Sequence, residues 1–253
     1  MVAEEIFILC VAVIGGGLPP LLWLWFWLNE ETHHEPKLLI LGTFVGGMMA
    51  VPIAFYFEKF LANYTHIGLL LGTATGLKLF ITFIPIVFIE EIAKYGAAAL
   101  IAFRSRHYRE PIDTLIYIIT ATLGFSALEN VLFLLGNVSD SIITLTFYNS
   151  VRDWAAPVGV ALAGNSLRFI GAAVLHVVTS GFLGFFIGMA FYKKQSTKIL
   201  YFVVGLSTAV LLHALFNFFI LEAGENPLKI FPFLWAGAIL LILLFEEIKR
   251  IKL

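Results

Sequence analysis

The chain has 253 residues, of which 60% are apolar and only 13% are charged, and its formal net charge is −1. This balance excludes a nucleic-acid-binding protein that relies on bulk positive charge, and the single cysteine, Cys10, excludes a disulfide framework or a thiolate metal cluster. Together with a mean hydropathy of +0.95, the composition predicts a polytopic membrane protein.

Seven stretches of the chain are long and apolar enough to form a transmembrane helix, which needs about 20 residues. They cover residues 6–28, 38–57, 79–103, 112–136, 166–191, 199–221 and 228–248. We therefore predict an all-α fold, a bundle of about seven transmembrane helices with no soluble domain. We expect residues 1–253 to form one integral membrane domain.

Basic residues in the connecting segments predict how the bundle is oriented. Three arginines lie in 104–109, three lysines in 192–198, and the C-terminus is basic as well. The positive-inside rule places these segments in the cytoplasm. The N-terminus is then expected outside and the C-terminus in the cytoplasm. Only one span fits between 112 and 165, so residues 137–165 are predicted to form an external, partly interfacial segment that could cover a site.

Polar and ionisable side chains occur inside the predicted spans, where a central Asp, Lys or Arg costs about 2.5 to 3.5 kcal/mol and is usually functional. They are Glu90, Glu91 and Lys94 in the third span, Glu129 and Asn130 in the fourth, Arg168 and His176 in the fifth, and His213 and Asn217 in the sixth. At a rise of about 1.5 Å per residue, the carboxylates and imidazoles lie roughly 10 to 16 Å from the outer ends of their spans. Four helices are thus predicted to bring them to one level, in the outer half of the bilayer.

Carboxylates, imidazoles and an amide at one depth suit the hydrolysis of a peptide bond. A carboxylate in a low-dielectric pocket can act as a base towards water, and neighbouring donors can stabilise an oxyanion. His213 and Asn217 are four residues apart and share a helix face, as do Glu90 and Lys94, which could pair.

A metal ion is a second way to activate water at such a site. Glutamate and histidine are suitable zinc ligands, so Glu129, His176 and His213 could hold Zn²⁺ and leave a position open for water. The sequences H-E-x-x-H and G-x-S-x-G are both absent. The residues therefore leave a metal-free and a metal-dependent mechanism open.

Four motifs follow one another on successive predicted helices: E-E-I-A-K, F-S-A-L-E-N, R-F-I-G-A-A-V-L-H and H-A-L-F-N. In this order, over residues 79–220, the motifs resemble those of the PrsW family of intramembrane proteases. That family is related to the CAAX-processing endopeptidases and the CPBP proteins. The wider superfamily carries E-E-x-x-x-R, and Lys94 stands one residue before that arginine. Glu129 stands where the CAAX enzymes have a histidine. Both departures fit the PrsW branch better.

The resemblance implies an endopeptidase that makes the first cut in a membrane-anchored protein, such as an anti-sigma factor, in a prokaryotic plasma membrane. The helical core for catalysis would be about 79–221. By resemblance, Glu90 or Glu91 activates water, His213 is essential and Asn217 helps to form the oxyanion hole. The other residues assigned to the site are Glu129 and His176, with Lys94, Asn130 and Arg168 in supporting positions. Family members have been described both as glutamic proteases and as metalloproteases.

Other functions remain open at this point. A CAAX-type prenyl endopeptidase belongs to the same wider superfamily, but its cytosolic substrate does not suit a site in the outer half of the bilayer. A proton- or ion-coupled transporter also buries Glu and His, although no internal repeat is visible. A non-enzymatic membrane scaffold could use the polar groups to join helices. We expect the lipid bilayer and a membrane-anchored protein substrate as partners, and neither nucleic acid nor a nucleotide.

Overall fold

The computed structural model describes residues 2–29, 35–65, 67–138, 167–222 and 229–251. Within these ranges helices joined by short connections make up the structure and there is no β-strand, which confirms the predicted fold class. The helices are α1 (Val2–Asn29), α2 (Lys37–Tyr64), α3 (Ile67–Thr73), α4 (Gly76–Ile101), α5 (Pro111–Val138), α6 (Leu167–Met189), α7 (Gln195–Glu222) and α8 (Phe231–Lys249). The proposed covering segment at 137–165 falls almost wholly outside the described residues.

Each of the seven predicted spans corresponds to one of the long helices, that is, to every helix above except α3. Six of these are long and apolar enough to cross a membrane. The exception is α4, because every 18-residue window in it contains at least three charged residues from Lys78, Glu90, Glu91 and Lys94. Charge in such a helix is tolerated when it faces protein rather than lipid, so the neighbours of α4 determine whether it can span.

Helix α5 lies at the centre of the bundle and packs against α1, α2, α4, α6 and α8. Every residue from 111 to 127 is buried. The approach to α2 is especially close, because a Cβ at Gly47 would overlap the carbonyl of Ala121, and one at Gly124 would overlap the carbonyl of Phe44. Small residues allow the two backbones to touch. This contact fixes the rotation of α5 and therefore the direction in which Glu129 points.

The remaining long helices complete the surroundings of a polar interior. Helix α4 packs against α2, α5 and α7, whereas α6 packs against α5, α7 and α8. Helices α4, α5, α6 and α7 therefore meet around one space. These are the four helices that the sequence predicted to carry the functional side chains.

Candidate active site

Helix α4 supplies two carboxylates and one ammonium group to the interior of the bundle. Glu90, Glu91 and Lys94 are 8%, 0% and 0% exposed. Nζ of Lys94 donates to Oε1 of Glu91 at 2.9 Å and to Oε2 of Glu90 at 3.2 Å. The spacings of three and four residues place all three side chains on one side of the helix. A single cation thus balances two anions that would otherwise repel each other in a medium of low dielectric constant.

His176 of α6 lies between Lys94 and Glu129. Its Nδ1 is 2.8 Å from Nζ of Lys94, and its Nε2 is 2.8 Å from Oε2 of Glu129. A lysine ammonium can only donate hydrogen bonds, so Nδ1 accepts, and Nε2 carries the proton that is donated to Glu129. The chemistry of the two partners therefore assigns the tautomer of this imidazole.

Glu91 accepts hydrogen bonds from three side chains on three helices, Lys94, Ser180 and His213. Besides Lys94, Nδ1 of His213 lies 2.8 Å from Oε1. Oγ of Ser180 donates to Oε2 at 2.6 Å, and Oγ1 of Thr179 lies 3.4 Å from Oε1. A buried carboxylate with this many donors is held in its charged form and in one orientation.

Sequence analysis did not include Thr179 and Ser180 among the site residues. They follow His176 by three and four residues, so they lie on the same face of α6. That spacing is the signal that could have identified them. Both are fully or almost fully buried. Ser180 donates to Glu91, whereas the hydroxyl group of Thr179 donates to the carbonyl of His176 at 3.2 Å and lies beside Glu91.

His213 of α7 faces both glutamates of α4. With Nδ1 bonded to Glu91, its Nε2 lies 3.8 Å from Oε2 of Glu90, a distance too long for a hydrogen bond. Its ring is perpendicular to that of His176, with the two centroids 5.0 Å apart. Glu90, His176 and His213 each offer one ligand atom, and these atoms lie within 4.8 Å of one another.

The types of donor in this trio fit a zinc ion, which commonly binds histidine nitrogen and carboxylate oxygen. The predicted ligand set was Glu129, His176 and His213, so the trio differs from it by having Glu90 in place of Glu129. In the structure Glu129 instead accepts from Nε2 of His176, as carboxylates do when they orient a metal-binding imidazole. The ammonium of Lys94 contacts both Glu90 and His176, so an ion bound at Nδ1 of His176 would have to displace it.

The other predicted site residues lie at the edge of this arrangement. Asn217 is half-buried, one turn beyond His213, and forms no hydrogen bond within the described part of the chain. Asn130 is buried, and its Nδ2 contacts the carbonyl of Gly16 on α1 at 3.5 Å, which joins two helices. Arg168 belongs to the first turn of α6, and its side chain is not among the described ones.

A further carboxyl group, Glu58 of α2, was not predicted. It is 2% exposed, and its Oε1 has no hydrogen-bond partner within the described structure. It lies near enough to Glu90 and Glu129 to be repelled by their charges, and near enough to Lys94 to be attracted. The second predicted span ended at residue 57, whereas α2 continues to Tyr64. Glu58 therefore fell outside the predicted spans.

An arrangement of buried carboxylates and imidazoles inside a bundle of apolar helices defines a candidate membrane-embedded hydrolase. The family model that matches the chain is described as PrsW family intramembrane metalloprotease, and it covers residues 35–245. The chain therefore belongs to the PrsW family and is an intramembrane endopeptidase. This confirms the resemblance seen in the four motifs and extends it beyond 79–220. It favours a PrsW-type intramembrane protease over the CAAX-type endopeptidase, the transporter and the scaffold.

Relatives with the name Protease PrsW occur in several bacteria. The one from Bacillus subtilis (strain 168) is 26% identical over 231 residues, which cover 88% of this chain and 91% of the relative. The one from Halalkalibacterium halodurans is 24% identical over 98% of this chain and 97% of its own length. The one from Geobacillus kaustophilus is 27% identical over 134 residues, or 52% of this chain and 56% of the relative. No solved structure matches this chain.

Proposed function

We propose that this protein hydrolyses a peptide bond in a membrane-anchored protein and that Glu90 accepts a proton from the attacking water. The observation that carries this assignment is the difference between the two adjacent glutamates. The oxygens of Glu91 are occupied by three donors, whereas Oε2 of Glu90 is 3.2 Å from Lys94 and faces Nε2 of His213 at 3.8 Å. Glu90 is also the more accessible of the two.

The neighbouring side chains would position Glu90 and the reacting groups. Glu91 fixes the orientation of His213 by accepting from its Nδ1, which turns Nε2 towards Glu90. In its protonated form, Nε2 could donate to the developing oxyanion or to the leaving amine. Asn217 lies one turn further along the same helix and would supply a second donor. Lys94 forms an ion pair with each of the two glutamates and so balances part of their negative charge.

Glu90, His176 and His213 are the residues that would hold a zinc ion. Bound zinc would supply a water of lowered pKa and would polarise the peptide carbonyl. His213 would bind through Nε2, because Nδ1 donates to Glu91, and His176 through Nδ1, because Nε2 donates to Glu129. Those two outer hydrogen bonds would orient the rings, as carboxylates behind metal-binding histidines do.

The substrate proposed here is a single-span membrane protein of the anti-sigma-factor type, cut first on the external side in regulated proteolysis. Support comes from the charge distribution. Basic residues follow α4 in the segment 104–109 and follow α6 in the segment 192–198. The positive-inside rule then places the ends of α4 and α6 in the cytoplasm. The start of α6, the end of α7 and the N-terminus would lie outside.

The test is cleavage by the purified protein in detergent of a broad panel of synthetic single-span peptides, with products identified by mass spectrometry. We expect the wild type to cut at least one peptide, and Glu90→Gln to slow that cut by about 10²- to 10⁴-fold, the usual contribution of a general base. Glu246→Gln, at an exposed ion pair on α8, is the matched control. No cut by the wild type would contradict the function, whereas an unchanged rate in Glu90→Gln would contradict only the role of Glu90.

A further inference from the structure

A cavity of about 570 Å³ opens between α6, α7 and α8. Both α7 and α8 pack against α6, and the cavity separates them from each other. We call it the lateral groove. Its apolar wall includes Leu175, Val178 and Phe182 of α6, Leu215 and Phe219 of α7, and Phe233 of α8. Its volume is within the range of ligand-binding pockets, which is about 300 to 1,000 Å³.

The lateral groove adjoins the hydrolytic site at Thr179. This side chain lines the groove, and its Oγ1 lies 3.4 Å from Oε1 of Glu91. Leu175 and Leu212, the residues immediately before His176 and His213, line the groove as well. The inner end of the groove therefore lies at the level of the two imidazoles, one side chain away from a carboxylate of α4.

From that level the groove extends to the end of α7. Its lining on this helix runs from Leu212 to Glu222, a span of ten residues or about 15 Å along the axis. Thr179, Glu222 and Lys229 are its polar lining residues, and the two charged ones are exposed at its mouth. An apolar wall with charges at one end matches the boundary between the apolar core of a membrane and its polar surface.

Several wall residues can be reached from the lipid side. Leu215 is 40% exposed, Phe219 is 48% exposed and Phe233 is 78% exposed. A segment lying in the bilayer could therefore enter sideways between α7 and α8 without first leaving the membrane. Side chains that enter this way would meet apolar surface and would lose little solvation.

We propose that the lateral groove binds the membrane segment of the protein substrate and guides the bond to be cut past Thr179 towards Glu90 and Glu91. This inference rests on the proposed function, because a hydrolytic site that cuts polypeptides needs a path for a polypeptide. The occupant is an apolar stretch of chain with a polar flank. The stretch lies along the wall, and the flank lies beside Glu222 and Lys229.

Filling the groove tests the proposal by activity. Leu215→Trp adds bulk at the wall, and the matched control Leu211→Trp adds the same bulk one turn away on α7, at an exposed residue that does not line the groove. We expect Leu215→Trp to slow cleavage of a single-span peptide by about tenfold or more, since small misplacements of a substrate cost up to about 10²-fold. Leu211→Trp should cut within about twofold of the wild-type rate. Equal rates in the two variants would contradict the proposal.

Disulfide crosslinking tests binding without relying on cleavage. The background is Cys10→Ser with Glu90→Gln, and single cysteines replace Leu215, Phe233 or, as the control, Leu211. The probe is a leucine–alanine peptide of one membrane span with a central cysteine, reconstituted with the protein in phosphatidylcholine vesicles. We expect crosslinks at 215 and 233 that clearly exceed those at 211.

Two results separate this proposal from the proposed function. Equal crosslinking of the peptide at the three positions would overturn the inference. The inference would also fail if the cysteine at 215 did not react with the peptide but did react with a phospholipid that carries a thiol-reactive acyl chain, because the groove would then bind lipid. Preferential crosslinking of the peptide at 215 and 233, together with no cleavage by the wild type, would support the groove as a polypeptide site. The hydrolytic function would then fail on its own.

Discussion

Nζ of Lys94 lies 2.8 Å from Nδ1 of His176, so the ammonium group of α4 contacts an imidazole on another helix. The same atom bonds to Glu90 and Glu91. Its aliphatic chain is fully buried, and Nζ lies 4.7 Å from the centre of the Phe125 ring, where a cation is further stabilised. The positive charge of Lys94 therefore compensates the negative charges of the site.

Lys94→Met should destabilise the protein by about 3 to 5 kcal/mol, the usual cost of breaking a buried ion pair by removing one partner. The physical reason is that two buried carboxylates lose their shared cation. The free energy of unfolding in mild detergent, measured by denaturant titration, is the quantity to compare. Arg250→Met, which removes an exposed pair with Glu247, is the control and should cost less than about 1 kcal/mol.

A second variant separates the ion pair from the packing of the lysine chain. In Lys94→Met with Glu91→Gln, one of the two unbalanced charges is removed. The combined loss should then be smaller than the sum of the two single losses, because the residues interact directly. Strict additivity would show that Lys94 stabilises the fold through packing alone.

Glu91→Gln and His213→Ala should each abolish cleavage of a membrane-tethered substrate while leaving insertion into the membrane intact. Glutamine at 91 removes the negative charge that fixes His213 and balances Lys94, and alanine at 213 removes the imidazole that faces Glu90. Cleavage in detergent and the amount of protein in the membrane fraction are the two measurements. If either variant cleaved the substrate at the wild-type rate, the catalytic site would lie elsewhere.

The sequence was sufficient to predict the helices, because hydropathy and the length of a membrane span determine where they lie. It could not predict how each helix is rotated about its axis. The rotation of α5 depends on the contact of Gly47 with Ala121, and such packing between helices decides that Glu129 reaches His176. The pairing of Lys94 with Glu90 followed from spacing along one helix, whereas its contact with His176 joins two helices 82 positions apart.

Zinc content should be about one ion per chain in protein purified without chelators, if the trio of Glu90, His176 and His213 binds the metal. His213→Ala should remove most of it, whereas Asn217→Ala, one turn away and outside the trio, should retain it. Elemental analysis by mass spectrometry measures both. Chelation should abolish cleavage, and added zinc should restore it. Full activity in a preparation with almost no zinc would instead favour the metal-free mechanism.

Glu58→Gln should raise the thermal midpoint of unfolding in detergent. In its charged form, a carboxyl group that is almost fully buried, with no partner for Oε1 in the described part of the chain and two other carboxylates nearby, costs more to desolvate than a neutral amide. A gain of about 1 kcal/mol is expected, given the size of penalties for unsatisfied buried groups. Glu35→Gln, at the half-buried residue that accepts from Tyr117, removes a paired carboxylate and should not stabilise. A fall in the midpoint of Glu58→Gln would show that its charge is needed by Lys94.

The orientation of the bundle can be tested at the two ends of α7. In a Cys10→Ser background, cysteines replace Glu222 and Gln195, both of which are exposed and lie about 40 Å apart along the helix axis. A membrane-impermeant maleimide added to intact bacteria should label the cysteine at 222 but not the one at 195. Both should react after the cells are lysed, which controls for accessibility. The reverse pattern would place the mouth of the lateral groove in the cytoplasm, and a cytosolic tail would then become the better substrate.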